Sequence, residues 1–93
     1  MIVGIFYFEL YIPGVRSLKE KRSVLRSLKQ RLRNGHNVSV SEVDFQDKHM
    51  RSGIGVSCVC MRQRDCDKTY DAVYQKIADS YPVTITMSQK DFC

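Results

Sequence analysis

The chain has 93 residues, 43% hydrophobic and 27% charged, with a net charge of +5. A chain of this length buries roughly 60–65% of its unfolded surface, enough for one modest core, so a single domain over residues 1–93 is expected and a second is excluded. Disorder and membrane spans are excluded too: the longest apolar run, Ile2–Phe8, is closed by Glu9 and falls far short of the ~20 residues of a spanning helix. No basic segment precedes that run and no small-residue cleavage site follows it, so no secretory signal is expected and the expected location is cytoplasmic.

From Ile2 to Ile12 the even positions Phe6, Phe8, Leu10 and Ile12 are apolar, against Val3, Ile5, Tyr7, Glu9 and Tyr11 on the odd side. Period-two alternation of this kind predicts a first strand with its even face in the core. Pro13-Gly14 then supplies a turn, and Ser17-Leu18-Lys19-Glu20 has the spacing of a capping box, which starts a helix predicted over residues 17–34. Leu18, Leu25, Leu28 and Leu32 fall on one arc of that helix, with Val24 at its margin, and Asn34-Gly35 stops it.

Residues 37–44 alternate Val38 and Val40 with polar neighbours, then change phase at Glu42-Val43, as an edge strand does at a bulge or at its end. A polar loop is expected over 44–52. Ile54, Val56 and Cys58 give a third strand. A second helix is predicted from Asp65 to about Ser80, with Val73 and Ile77 inward, Tyr70 and Tyr74 beside them and Pro82 beyond its end. Val83, Ile85 and Met87 alternate with Thr84, Thr86 and Ser88 in a last strand.

Two strand–helix–strand halves with right-handed crossovers give an α+β, ferredoxin-like βαββαβ fold: a four-stranded antiparallel sheet of order 4-1-3-2 with both helices on one face. In that topology the start of the first helix sits beside the end of strand 2 and the loop after it.

Charge is distributed unevenly. Residues 16–33 hold eight Lys or Arg against the single acid Glu20, whereas the rest of the chain is net acidic. Lys19, Arg22, Arg26, Lys29 and Arg33 share an arc beside the apolar stripe and form a basic ridge. Such neighbours repel by a few tenths of a kcal/mol per pair, and a polyanion relieves them by displacing counterions with lysine and arginine. The ridge is therefore a candidate phosphate-binding surface, weighed against a plain solvated helix face. Lys21 lies on the inward arc and needs an anionic partner, for which Glu42, Asp44 and Asp47 are the candidates. That end of the fold is read either as a structural ion-pair cluster or as an anion site at a helix N-terminus.

Ile12-Pro13-Gly14, Ser17-Leu18-Lys19 with Lys21-Arg22, Asn37-Val38-Ser39-Val40 with Glu42-Val43-Asp44, and Gln46-Asp47 together resemble the YlxP-like family of bacterial domains of unknown function. The resemblance runs through nearly the whole chain and is densest over residues 9–59. It implies a ferredoxin-like domain and an association with translation initiation and ribosome assembly through gene neighbourhood, but no activity. The cysteines and the aromatic pair Phe6 and Phe8 flanking Tyr7 lie outside that pattern.

Two function classes remain open: a non-catalytic RNA- or ribosome-associated protein using the ridge, and a small enzyme or phosphometabolite-binding protein using the Lys21, Glu42 and Asp44 end. A self-associating module is a third, because the odd face of strand 1 with Val59 and Met61 leaves an apolar surface that a homodimer would cover. No catalytic residue, cofactor or metal is assigned. Cys58-x-Cys60 with Cys66 and no nearby histidine fits no structural zinc spacing, and with Cys93 these are read as free thiols, Cys58 and Cys60 sharing one strand face and expected to be buried. Base stacking on the sheet is not expected, since strand 3 offers no aromatic residue beside Tyr7.

Overall fold

The computed structural model describes all of residues 1–93. The chain runs β1 (Ile2–Tyr11), α1 (Leu18–Gly35), β2 (Ser39–Asp44), β3 (Arg51–Cys60), α2 (Gln63–Ala78) and β4 (Thr84–Phe92). All pairings are antiparallel and the sheet order is β2-β3-β1-β4, the ferredoxin-like βαββαβ topology expected from the sequence. Both helices cover one sheet face. Phe6, Phe8 and Leu10 of β1 pack there with Leu25, Leu28 and Leu32 of α1, Ile54 and Val56 of β3, and Val73 and Ile77 of α2 in one cluster.

The capping box forms with one change. Ser17 Oγ accepts from the Glu20 amide at 3.1 Å, and Glu20 Oε2 accepts from the amide of Arg16, one residue before the cap, at 2.8 Å. Two donors at the helix entrance are thus satisfied by side chains.

Strand boundaries differ from the expectation where pairing overrides local pattern. Ser52 and Arg51 look like loop residues, yet they pair with Leu10 and Tyr11 and lengthen β3. Ser52 is fully buried and donates to Glu42 Oε2 at 2.7 Å, which removes the usual objection to a buried hydroxyl. In β2 the phase change is a bulge: Glu42 pairs with Ile54, Asp44 with Gly53, and Val43 is the extra residue, turned outward.

The last strand needs a larger correction. Leu10 pairs with Ile85 but Glu9 pairs with Met87, so Thr86 is left between them. Its hydroxyl takes the Glu9 carbonyl at 3.1 Å. The inserted residue flips the alternation, so Met87 faces away from the helices and Ser88 faces them, receiving a hydrogen bond from Tyr70 at 2.7 Å. Because side chains alternate with a period of two, one inserted residue exchanges the two faces for the remainder of the strand.

Candidate functional site

Three groups of chemically capable side chains are brought together: a basic stripe on α1, a buried lysine at the start of that helix, and a trio of cysteines. The outer sheet face is the fourth feature.

Arg22, Arg26, Lys29 and Arg33 follow one another at spacings of three and four, which stacks them along a single line of the helix. Each lies one position after an inward residue, Lys21, Leu25, Leu28 or Leu32, so the line runs along the rim of the core and overhangs the edge strand β2. Arg22, Arg26 and Lys29 line a groove against Leu25 and Glu42. At its far end Arg33 Nη2 donates to the Val40 carbonyl at 2.9 Å. Lys19 extends the line towards the N-terminus and is exposed. None of the five bases has a carboxylate partner. The four ion pairs of the protein join Lys21 to Glu42, Arg51 to Glu9, Arg62 to Asp65 and Lys90 to Asp67. Even Glu42, which borders the groove, has its carboxylate turned to Lys21.

Lys21 is completely buried, and its ammonium is 2.8 Å from Glu42 Oε2. It also donates to three backbone carbonyls of the β2–β3 loop, Phe45 at 2.8 Å, Gln46 at 3.5 Å and Lys48, and to that of Arg51 at the start of β3 at 3.2 Å. Three N–H bonds are shared among five oxygens, so nothing is left for an incoming anion. Asp44 and Asp47 are not at this centre. Asp44 accepts from the Tyr7 hydroxyl at 3.4 Å and from the Phe45 amide at 3.0 Å, and Asp47 is exposed without an ion pair. Phe45 adopts a left-handed φ of 59°, a conformation that reverses the chain where the carbonyls gather on Lys21. Glu42 was legible as a partner because it ends the strand next to α1. Backbone carbonyls have no sequence signature, so the dominant contacts of Lys21 were not legible.

Cys58, Cys60 and Cys66 form a compact sulfur cluster. Cys58 Sγ lies 3.7 Å from Cys66 Sγ and 3.8 Å from Cys60 Sγ, and the three are within 4.8 Å of one another. Linear spacing missed this trio because Cys66 arrives from the first turn of α2, folded back over β3. Burial pushes the Cys58 and Cys66 thiols above their ordinary range, and contact with Cys66 does so first at Cys60.

On the outer face Ile5, Val43, Val59 and Met87 are between 41% and 63% exposed. The patch is interrupted by the Arg51–Glu9 pair and by Tyr7. The Tyr7 ring lies across β3 at Gly53, where any Cβ would come within 2.6 Å of its hydroxyl. Burial, then the carboxylates of Asp44 and Glu9, hold that phenol above its ordinary pKa. No helix is long and apolar enough to cross a membrane.

A four-stranded sheet covered on one face by two helices, one of them carrying an unpaired basic stripe, defines the class: a small ferredoxin-like α+β protein with a cationic helix rim. Within that class the chain belongs to the family described as Protein of unknown function (DUF503), which it matches over residues 3–90. It is 36% identical over 81 residues to the uncharacterized protein YlxP of Bacillus subtilis (strain 168), an alignment covering 87% of each chain. The resemblance carried by the Pro13-Gly14, Ser17–Arg22 and Asn37–Asp47 motifs is thus borne out.

Proposed function

We propose that this is a non-catalytic RNA-associated protein that engages phosphates through Lys19, Arg22, Arg26, Lys29 and Arg33, with RNA of ribosomal particles as its partner. The observation that carries the reading is that five bases follow one line of a single helix and none of them has a carboxylate within ion-pair distance. Spaced over ~21 Å of helix, the stripe matches the backbone of a nucleic acid rather than a single small anion. Sequence discrimination is not expected, since contacts to phosphate position a protein without reading bases. The competing reading, an enzyme or phosphometabolite binder at Lys21, Glu42 and Asp44, is disfavoured because Lys21 is buried and saturated.

Binding of a structured RNA hairpin, followed by fluorescence anisotropy, tests the proposal. Engagement of three to five phosphates gives an affinity that falls roughly 40- to 500-fold between 50 and 200 mM salt. Combined reversal of Arg22, Arg26, Lys29 and Arg33 to Glu abolishes binding to hairpins and cosedimentation with ribosomal particles. Undetectable binding at low salt, or binding that survives the reversal, overturns the proposal.

The outer face supports a second reading, self-association, because Ile5, Val43, Val59 and Met87 leave apolar surface uncovered that a second copy would bury. Sedimentation velocity at rising concentration is expected to show a dimer that Val59→Lys dissociates. A monomer at every concentration would dismiss this reading.

A further inference from the structure

The cysteine trio has a geometry that buried packing does not require. Cys58 and Cys60 are two apart in β3 and so share the helix-facing side of the sheet. Cys66 reaches the same spot from α2 and is fully buried, while Cys60 stays half-buried and leaves an approach from solvent. Gly4 pairs with Cys58 across the strands, and a Cβ at that position would sit 3.0 Å from Cys58 Sγ and from two carbons of the Phe6 ring. The absent side chain makes the space that the sulfur occupies.

An ion held by sulfur at ~2.3 Å needs sulfur–sulfur edges of about 3.8–4.0 Å for angles between tetrahedral and trigonal. Two edges of the trio, 3.7 and 3.8 Å, lie at the short end of that range to within about 0.1 Å. The third, within 4.8 Å, closes by less than about 1 Å to match. No histidine or carboxylate belongs to the cluster, so the donor set is three sulfurs. Structural zinc sites, all-thiolate ones included, are closed by four ligands, so a set of three sulfurs suits instead a soft ion that is satisfied by fewer.

We propose that Cys58, Cys60 and Cys66 form a three-sulfur site for a soft, thiophilic d10 metal ion of low coordination number, of the monovalent copper class. Binding is an exchange without electron transfer: each sulfur that coordinates loses its proton to solvent and the ion takes its place. The excess negative charge falls at the first turn of α2, where the helix dipole favours anions; Arg62 at the N-cap is paired with Asp65, whose carboxylate works against ionisation of Cys60. Because protons compete for the same sulfurs, affinity rises with pH.

The test uses the full chain, reduced and stripped with chelator, with Cd2+ as the spectroscopic probe and Cu(I) delivered from a competing chelator. One equivalent of Cd2+ is expected to saturate a sulfur-to-metal charge-transfer absorption of three-thiolate intensity. Cu(I) is expected to displace Cd2+, and Zn2+ is not. Cys60→Ser and Cys66→Ser each weaken binding by at least about tenfold, the lower end of what lesser changes around metal ligands cost, whereas Cys93→Ser has no effect. Should the buried Cys66 variant fail to fold by circular dichroism, the half-buried Cys60 variant carries the test. The proposal is overturned by no absorption at one equivalent, by a band that Cys60→Ser leaves intact or Cys93→Ser removes, or by Zn2+ outcompeting Cu(I).

Discussion

Replacing Lys21 by methionine keeps an unbranched side chain in the core and deletes only the ammonium. Left behind are the Glu42 carboxylate, its side chain 16% exposed, with Ser52 as its one remaining donor, and four backbone carbonyls without their shared donor. Removing one partner of a buried pair costs about 3–5 kcal/mol, out of the ~5–14 kcal/mol that a protein of this size has in total. At ~4–8 °C per kcal/mol for such a length, Tm drops by about 12 °C or more. Glu42→Gln leaves the ammonium its carbonyl partners, so its cost is set at about 1.5–3 kcal/mol, that of a charged hydrogen bond. Urea unfolding followed by circular dichroism measures both. Hydrogen exchange adds a local readout, because the Lys48 amide bonded to the Phe45 carbonyl should lose protection in the methionine variant. The reasoning is refuted if Lys21→Met costs under about 1 kcal/mol, or if Glu42→Gln is the more damaging of the two. In the latter case Lys21 would be an ion-pair partner rather than the anchor of the loop.

Ser17→Ala removes the acceptor for the Glu20 amide and is expected to cost about 1 kcal/mol in the same urea assay; an unchanged midpoint would show that Glu20 alone suffices. His36 is held below its ordinary pKa of 6.5 by burial and then by Lys76, so the unfolded chain takes up a proton more readily than the folded one. Stability should therefore decline as pH falls from 6.5 towards the lowered folded value, and His36→Gln should flatten that segment of a stability–pH curve. Lys90 is shifted the other way, upward through its bond to Asp67. Its contribution persists below pH 10.5 and fades as pH rises through the folded value, a loss that Asp67→Asn should abolish. Phe8 is fully buried and stacked on Tyr70 with ring centroids 5.6 Å apart, and Phe8→Ala should cost about 3–5 kcal/mol by calorimetry.

Alternation and periodicity determined the elements, their order and the inward faces of β1, α1 and β3, because one-sided burial imposes a period that the residues must follow. The Ser17 cap was equally legible, a local contact between residues three apart. The inward position of Lys21 and its pairing with Glu42 came from helix arc and topology together. Only the tertiary structure decided the features that depend on chain crossings. The Thr86 bulge exists because β4 is paired with β1, and no local pattern marks it, so the alternation of Ile85 and Met87 does not reveal that they lie on opposite faces. The Lys21 anchor is made mainly of backbone carbonyls, which every residue carries and none advertises. The sulfur trio joins a strand to the next helix through a turn whose direction is set by packing, so the spacing of Cys58, Cys60 and Cys66 along the chain concealed three thiols that meet in space. The basic stripe is the intermediate case: its bases were countable in the sequence, but that none meets a carboxylate depends on where every acid of the folded chain lies.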